Sequence, residues 1–202
     1  MISFLILIIV CYLLGAFPSG VAVAKYYGKN DILNSGSRSI GATNIYRVLG
    51  FKAALIVLGL DVLKGMLAIV LSYFVFLPNL LSPLVKFIFG LAVICGHNWS
   101  VFLKFRGGKG VATTLGVFLL IAPQTVFYTV LLWLGILLIT RLASMASLSV
   151  SAIFPIMLYF CGGSIFEVIF AFICAVLIFW RHKDNLSRLL NGQEEHLSIK
   201  LF

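Results

Sequence analysis

The stretch that decides the fold is Phe51 to Phe76, FKAALIVLGLDVLKGMLAIVLSYFVF. Wound as a helix at 1.5 Å per residue it would reach about 39 Å, more than the hydrocarbon core of a bilayer at about 30 Å. Water is the wrong solvent for such a segment. Two of its charges, Asp61 and Lys64, lie inside the run three residues apart, where lipid tolerates them only if they pair or face a polar interior. A structural ion pair is the expectation. The rest of the chain agrees with this reading: of 202 residues 62 % are hydrophobic and 10 % charged, against about a quarter charged in soluble domains. The fold class is therefore an all-α integral membrane protein, read as one membrane-embedded domain over 1–202.

The basic residues set the expected topology. Five of the fifteen Lys and Arg fall between Lys25 and Lys52, three in Lys104 to Lys109, one at Arg141 and four from Arg181 to Lys200. Excess Lys and Arg mark cytoplasmic loops. Crossings are then expected over Ile2 to Ala24, Phe51 to Phe76, Leu84 to Leu103, Val111 to Ile121, Pro123 to Thr140, Ala146 to Phe160 and Ile165 to Trp180. That makes a seven-helix transmembrane bundle, N-terminus outside and C-terminus cytoplasmic, with external turns at Pro78 to Pro83 and at Cys161-Gly162-Gly163-Ser164. Pro123 breaks the 30-residue run from Val111 to Thr140 by removing a backbone donor. Cys11, Cys95, Cys161 and Cys174 show no CxxC or His/Cys ligand spacing and read as small hydrophobes, not as metal ligands or disulfides. Although the net charge is +9, the cations lie at membrane boundaries instead of forming a solvated stripe, so the reading is no nucleic acid, with anionic lipid or phosphorylated substrates as partners.

Four polar clusters fall on the expected cytoplasmic face. Gly107-Gly108-Lys109-Gly110 precedes a helix start, where free N–H groups and the positive end of the helix dipole hold anions, and Lys104 and Arg106 stand beside it. It is not a P-loop, because Gly110 replaces the Ser or Thr that must follow the Lys. The stretch NSGSRSIGATNIYRVLG, Asn34 to Gly50, brings together hydroxyls, glycines, Arg38 and Arg47, a donor set suited to phosphate oxygens. Arg141 with Ser144 and Ser147 forms a third cluster. RHKDNLSRLLNGQEEH, Arg181 to His196, puts His182 and Asn185 on one helical face. Each alone reads as a polar interfacial segment. Together they point to one phosphate-handling site. Glu167 and His97 read as structural, His97 with the reservation that it stands near the glycine turn.

The motifs GSxxIGATNxxRxLG (Gly36 to Gly50), DVLKG (Asp61 to Gly65), GHxxxVFLKFRGGKGVAT (Gly96 to Thr113) and RHKDNLSRLLNGQE (Arg181 to Glu194) resemble those of the bacterial acyl-phosphate:glycerol-3-phosphate acyltransferases, the PlsY family. What the resemblance implies is a seven-helix inner-membrane enzyme facing the cytoplasm, which passes a fatty acyl group from acyl-phosphate to the 1-hydroxyl of glycerol-3-phosphate. The products are lysophosphatidic acid and phosphate, the first acylation of phospholipid synthesis. It also implies membrane lipid and the upstream acyl-phosphate-forming enzyme as partners, and no cofactor. The family's first motif maps to Ser37 and Arg47, with Asn44 also at the substrate. The second maps to Gly107, Gly108, Lys109 and Gly110, and the third to His182, Asn185 and Glu194. The chain departs from the family at Arg38-Ser39, usually Gly-Asn, and at Ser100, usually Pro.

An acyl-phosphate is already activated, and no GxSxG elbow or HxxxxD pair is present, so a covalent acyl-enzyme is not required. The expected roles are Ser37 and Arg47 on acyl-phosphate with Arg141 and Ser144 as helpers, and the glycine turn with Lys109, and more weakly Lys104, on glycerol phosphate. His182 and Asn185 would position the hydroxyl or polarise the carbonyl, the proton going either to His182 or to a substrate phosphate. A transporter of phosphorylated metabolites would need polar residues through the membrane and on the outer face, where the sequence offers little beyond Lys86 and Glu167. A structural subunit would leave the four clusters unexplained.

Overall fold

The computed structural model describes residues 2–75 and 83–198. Among them are ten α-helices: α1 Ile2–Ala16, α2 Ser19–Tyr26, α3 Ala42–Leu49, α4 Phe51–Val75, α5 Pro83–Asn98, α6 Val111–Ile121, α7 Pro123–Thr140, α8 Ala143–Phe160, α9 Ile165–Arg181 and α10 Lys183–Leu190. All seven apolar segments read from sequence contain helix. Four stretches, Phe4–Tyr26, Phe51–Tyr73, Pro123–Thr140 and Ala143–Phe160, are long and apolar enough to cross a bilayer, and α9 with α10, bent by 66°, makes a fifth. Leu84–Asn98 and Val111–Ile121 are apolar but shorter, so length and composition give four or five crossings where the sequence reading counts seven. The external turn expected at Pro78 to Pro83 falls largely outside the described residues.

Two local differences have plain causes. The first run is not one straight helix, because Pro18 has no N–H to donate and α1 stops at Ala16 before α2 begins at Ser19. A short helix, α3, lies in a polar segment whose apolar residues recur only over two turns, too few for a periodic signal, while α10 falls in the segment where His182 and Asn185 read as one helical face.

The chain packs as two compact units, one ending at Ile121 and the other starting at Ala122, where the sequence reading has a single domain. In the first unit α1 packs on α5, and α4 packs on both α6 and α3. Close approach is bought with glycines facing backbone: a Cβ at Gly15 would meet the Val93 carbonyl and one at Gly96 the Tyr12 carbonyl. The same exchange joins α4 to α6, through Gly65 against Thr113 and Gly116 against Val62. Helix pairs in lipid lack a hydrophobic drive between them and depend on such van der Waals contact. In the second unit α8 packs on α7 and α9, and Trp133 donates its indole N–H to Ser147 Oγ at 3.1 Å. Glu167 caps α9: Ser164 N–H donates to its carboxylate at 2.8 Å while the Ser164 hydroxyl accepts from Glu167 N–H. Large apolar side chains such as Leu13, Leu55, Leu138, Ile156 and Phe172 face outward, as lipid requires.

Candidate active site

In the first unit the loop from Asn30 to Gly41 is shaped by one buried amide. Asn44, fully buried on α3, donates through Nδ2 to the carbonyls of Ser39 (2.7 Å), Ser35 (3.1 Å) and Ile32 (3.4 Å). Its Oδ1 accepts from Ser37 N–H at 2.7 Å. Gly36, at φ 56°, sits so close that a Cβ would strike Asn44 Oδ1. Asn44, expected at the substrate, therefore spends its hydrogen bonds on the loop itself. What the loop presents is Ser37: half-buried, with its backbone pinned and its hydroxyl without a partner among the described residues. Arg47 lies half-buried one turn further along α3.

The two departures from the family pattern are accommodated differently. Ser39 accepts from Gly41 N–H through its hydroxyl at 3.3 Å, a turn-forming contact. Arg38 is exposed and takes a left-handed conformation, φ 55°, where the Cβ of any residue but glycine crowds the backbone. Arg38→Gly should therefore stabilise the protein by about 0.5–1 kcal/mol after the extra unfolded-state freedom of glycine is counted. Thermal unfolding in detergent would read this as a modest rise in Tm; a fall would mean that the arginine side chain contributes more than its strain costs. Ser100, in place of proline, uses what proline lacks: its N–H donates to the Arg106 carbonyl at 3.2 Å, and its hydroxyl donates to the Ala16 carbonyl, an acceptor left over at the end of α1.

The glycine turn lies against the end of α5. A Cβ at Gly107 would collide with the carbonyls of His97 and Asn98, and one at Gly108 with the His97 imidazole. Gly110 has φ 81°, and a Cβ there would stand 2.9 Å from Asn98 Oδ1. The first intrahelical acceptor of α6 is the Gly110 carbonyl, bonded by Thr114 N–H at 2.8 Å, so the N–H groups ahead of it have no partner within the helix. Before the turn, Lys104 and Phe105 are consecutively left-handed, φ 54° and 60°, and both are exposed. The Asn98 amide and the hydroxyls of Thr113 and Thr114 are buried without a hydrogen-bond partner among the described residues. Each unmade bond costs about 1–3 kcal/mol, and such cost concentrates where structure serves function rather than stability.

In the second unit the organiser is Glu194, which sequence reading mapped to the third motif without giving it a role. It is buried and accepts from Asn185 Nδ2 (2.6 Å) and Ser144 Oγ (2.7 Å) on one oxygen and from Arg188 Nε (2.7 Å) on the other. Burial alone would raise its pKa, but the three donors and the Arg188 charge outweigh it and hold the carboxyl below its ordinary value. Ser144 thus has its hydroxyl proton committed to Glu194. Arg141 caps α7 in a left-handed conformation, φ 57°, with an exposed side chain and a carbonyl that accepts from Leu197 N–H at 2.8 Å. His182 marks the bend between α9 and α10 and is buried; its Nδ1 meets the Ile178 carbonyl at 2.8 Å. A carbonyl only accepts, so Nδ1 donates to it, and in the neutral form of the ring the lone pair would be on Nε2. That is the arrangement a general base needs.

Helices suited to a bilayer, a glycine turn opening α6 and a pinned serine loop belong to a helical membrane protein. The sequence profile of glycerol-3-phosphate acyltransferases matches residues 5–192. The glycerol-3-phosphate acyltransferase of Thermoanaerobacter pseudethanolicus is 40 % identical over 95 % of this chain and 94 % of its own length. Glycerol-3-phosphate acyltransferase 2 of Moorella thermoacetica is 39 % identical over 96 % and 97 %. Among solved structures, the glycerol 3-phosphate form of PlsY, an integral membrane glycerol 3-phosphate acyltransferase, superposes with a TM-score of 0.88 at 38 % identity, covering 97 % of this chain and 96 % of that one. The lysophosphatidic acid form superposes at 0.86 and 36 % identity, with the same coverage. The chain belongs to the glycerol-3-phosphate acyltransferase family typified by PlsY, and is a multi-pass membrane protein.

Proposed function

We propose that this protein transfers a fatty acyl group from acyl-phosphate to the 1-hydroxyl of glycerol-3-phosphate, releasing lysophosphatidic acid and inorganic phosphate. The observation that carries the reading is the near-complete likeness to PlsY in two forms, one with glycerol 3-phosphate and one with lysophosphatidic acid. Those two molecules differ by one acyl group on a hydroxyl, so they are acceptor and product of this transfer. The topology proposed with it is seven crossings in one domain, N-terminus outside and the site at the cytoplasmic face of a bacterial inner membrane, with the acyl-phosphate-forming enzyme as its supplier.

In the proposed step the acceptor hydroxyl oxygen bonds to the acyl carbon, the bond from that carbon to the phosphate oxygen breaks, and phosphate leaves with the electron pair. Ser37 offers its hydroxyl and Arg47 its guanidinium to the acyl-phosphate. Lys109 and the glycine turn hold the glycerol phosphate, with Lys104 nearby in sequence. His182 Nε2 takes the proton from the attacking hydroxyl, or a phosphate oxygen of the donor does. Asn185, oriented by Glu194, stabilises charge on the carbonyl oxygen. Arg141 and Ser144 support the donor end, Ser144 through its bond to Glu194.

The test is phosphate release by the purified protein in lipid, given palmitoyl-phosphate with and without glycerol-3-phosphate, beside palmitoyl-CoA as rival donor. Release that needs both palmitoyl-phosphate and glycerol-3-phosphate, with lysophosphatidic acid formed, is the expected result. Turnover with palmitoyl-CoA alone as donor would overturn the donor assignment. His182→Gln separates the two proton routes: loss of the chemical step assigns the base to His182, while substantial turnover at saturating substrate assigns it to phosphate.

A further inference from the structure

The charges buried in α4 do not end at an ion pair. Asp61 accepts from the Ser19 hydroxyl on α2 and from Lys64 Nζ at 2.8 Å. Lys64 Nζ in turn stands 2.7 Å from His97 Nδ1 on α5. All four side chains are buried. The far edge of the His97 ring then lies against Gly108, so that a Cβ there would fall on Nε2, and the His97 carbonyl accepts from Gly108 N–H at 3.0 Å. One chain of contacts therefore runs from a carboxylate within a membrane helix to the backbone of the glycine turn.

His97 Nδ1 also stands 3.6 Å from Asp61 Oδ1, so the charge on the pair decides where the ring proton sits. A buried carboxylate beside an ammonium forms a neutral pair, and a further charge on the imidazole would be uncompensated. With Lys64 as the ammonium that balances Asp61, it can only donate, and Nδ1 then accepts from it and leaves the ring proton to Nε2. A purely structural pair between Asp61 and Lys64 would need no histidine, and a packing histidine would need no glycine pressed against its ring.

We infer that Asp61 and Lys64 are positioning residues that lock His97 as the Nε2–H tautomer against Gly108, and that this contact sets the glycine turn for binding glycerol phosphate. The inference rests on the acyltransferase reading for its ligand, but not for its proton. The variant to make is His97→Asn, whose Oδ1 can still accept from Lys64, so the buried charges stay paired while the contact with Gly108 is lost. Expected in lipid-reconstituted full-length protein is a KM for glycerol-3-phosphate raised about tenfold, with kcat and the KM for palmitoyl-phosphate within twofold of wild type. A role in packing alone would lower Tm and leave the acceptor KM unchanged, and that result overturns the proposal. So does a raised KM for palmitoyl-phosphate in place of glycerol-3-phosphate. The second readout is 15N NMR of histidine-labelled wild type, with His97 assigned by its absence from the variant: an unprotonated Nδ1 and a protonated Nε2 are expected, and a protonated Nδ1 overturns the lock. If wild type made no lysophosphatidic acid, the acyltransferase reading would fail and the turn's role with it, while the NMR result would still decide the tautomer.

Discussion

Asn44→Asp is expected to reduce turnover more than a hundredfold and to destabilise the protein by about 3 kcal/mol, although the two side chains have the same shape. The amide gives its N–H groups to three carbonyls and its oxygen to Ser37 N–H, all in a fully buried position. A carboxylate keeps only the last of these contacts. It would turn an oxygen toward carbonyl oxygens at a fully buried position, where the repulsion is poorly screened. Protonating the Asp would restore at most one donor. Because the same loop pins Ser37, the loss should appear in activity as well as in Tm, and steady-state kinetics with a thermal melt would check both. Activity within threefold of wild type would mean that the loop forms without Asn44, and the account of Ser37 would fall with it.

Asn44 reads from the sequence as a substrate contact, and that its amide also organises the loop is a matter of chemistry that letters do not carry. An amide that binds phosphate and an amide that binds three carbonyls look the same in GATN. The long apolar helices were legible because hydrophobic length is a local property: the break between Val111 to Ile121 and Pro123 to Thr140 follows from Pro123, and both segments agree with α6 and α7. The glycine turn was legible for a similar reason, since a helix start after Gly107 to Gly110 can be read from adjacent residues. Pro18 also interrupts the first run, but the reading of Ile2 to Ala24 rests on its apolar length and does not use it. What could not be read is contact over distance: Lys64 with His97, 33 residues away, or Ser144 with Glu194, 50 residues away. Arg38 illustrates the limit from another side. Its departure from the family pattern was visible, but only the backbone angle shows that it occupies a position suited to glycine.

Glu194→Ala should match Asn44→Asp in severity, with a loss of about 3 kcal/mol and at least a hundredfold in turnover. Three donors converge on this carboxylate, and alanine leaves Ser144, Asn185 and the Arg188 guanidinium facing one another without an acceptor. Asn185 would lose the contact that fixes its amide, which is why the effect should reach catalysis. Glu194→Gln is the more informative variant. Its carbonyl oxygen can still accept from Ser144 and Asn185, but its NH2 would oppose Arg188, so an intermediate loss is expected. The two proteins should also differ in pH dependence. The folded-state pKa of Glu194 is depressed, so its charge contributes stability that is complete above the unfolded carboxylate pKa and disappears as pH falls through the folded one. The gap in Tm between wild type and Glu194→Gln should accordingly be widest near neutrality and close in acid, because only the wild type loses a charge there. A gap that stays constant from neutral to acid pH would show that packing of the tail, not the carboxylate, holds Asn185 in place.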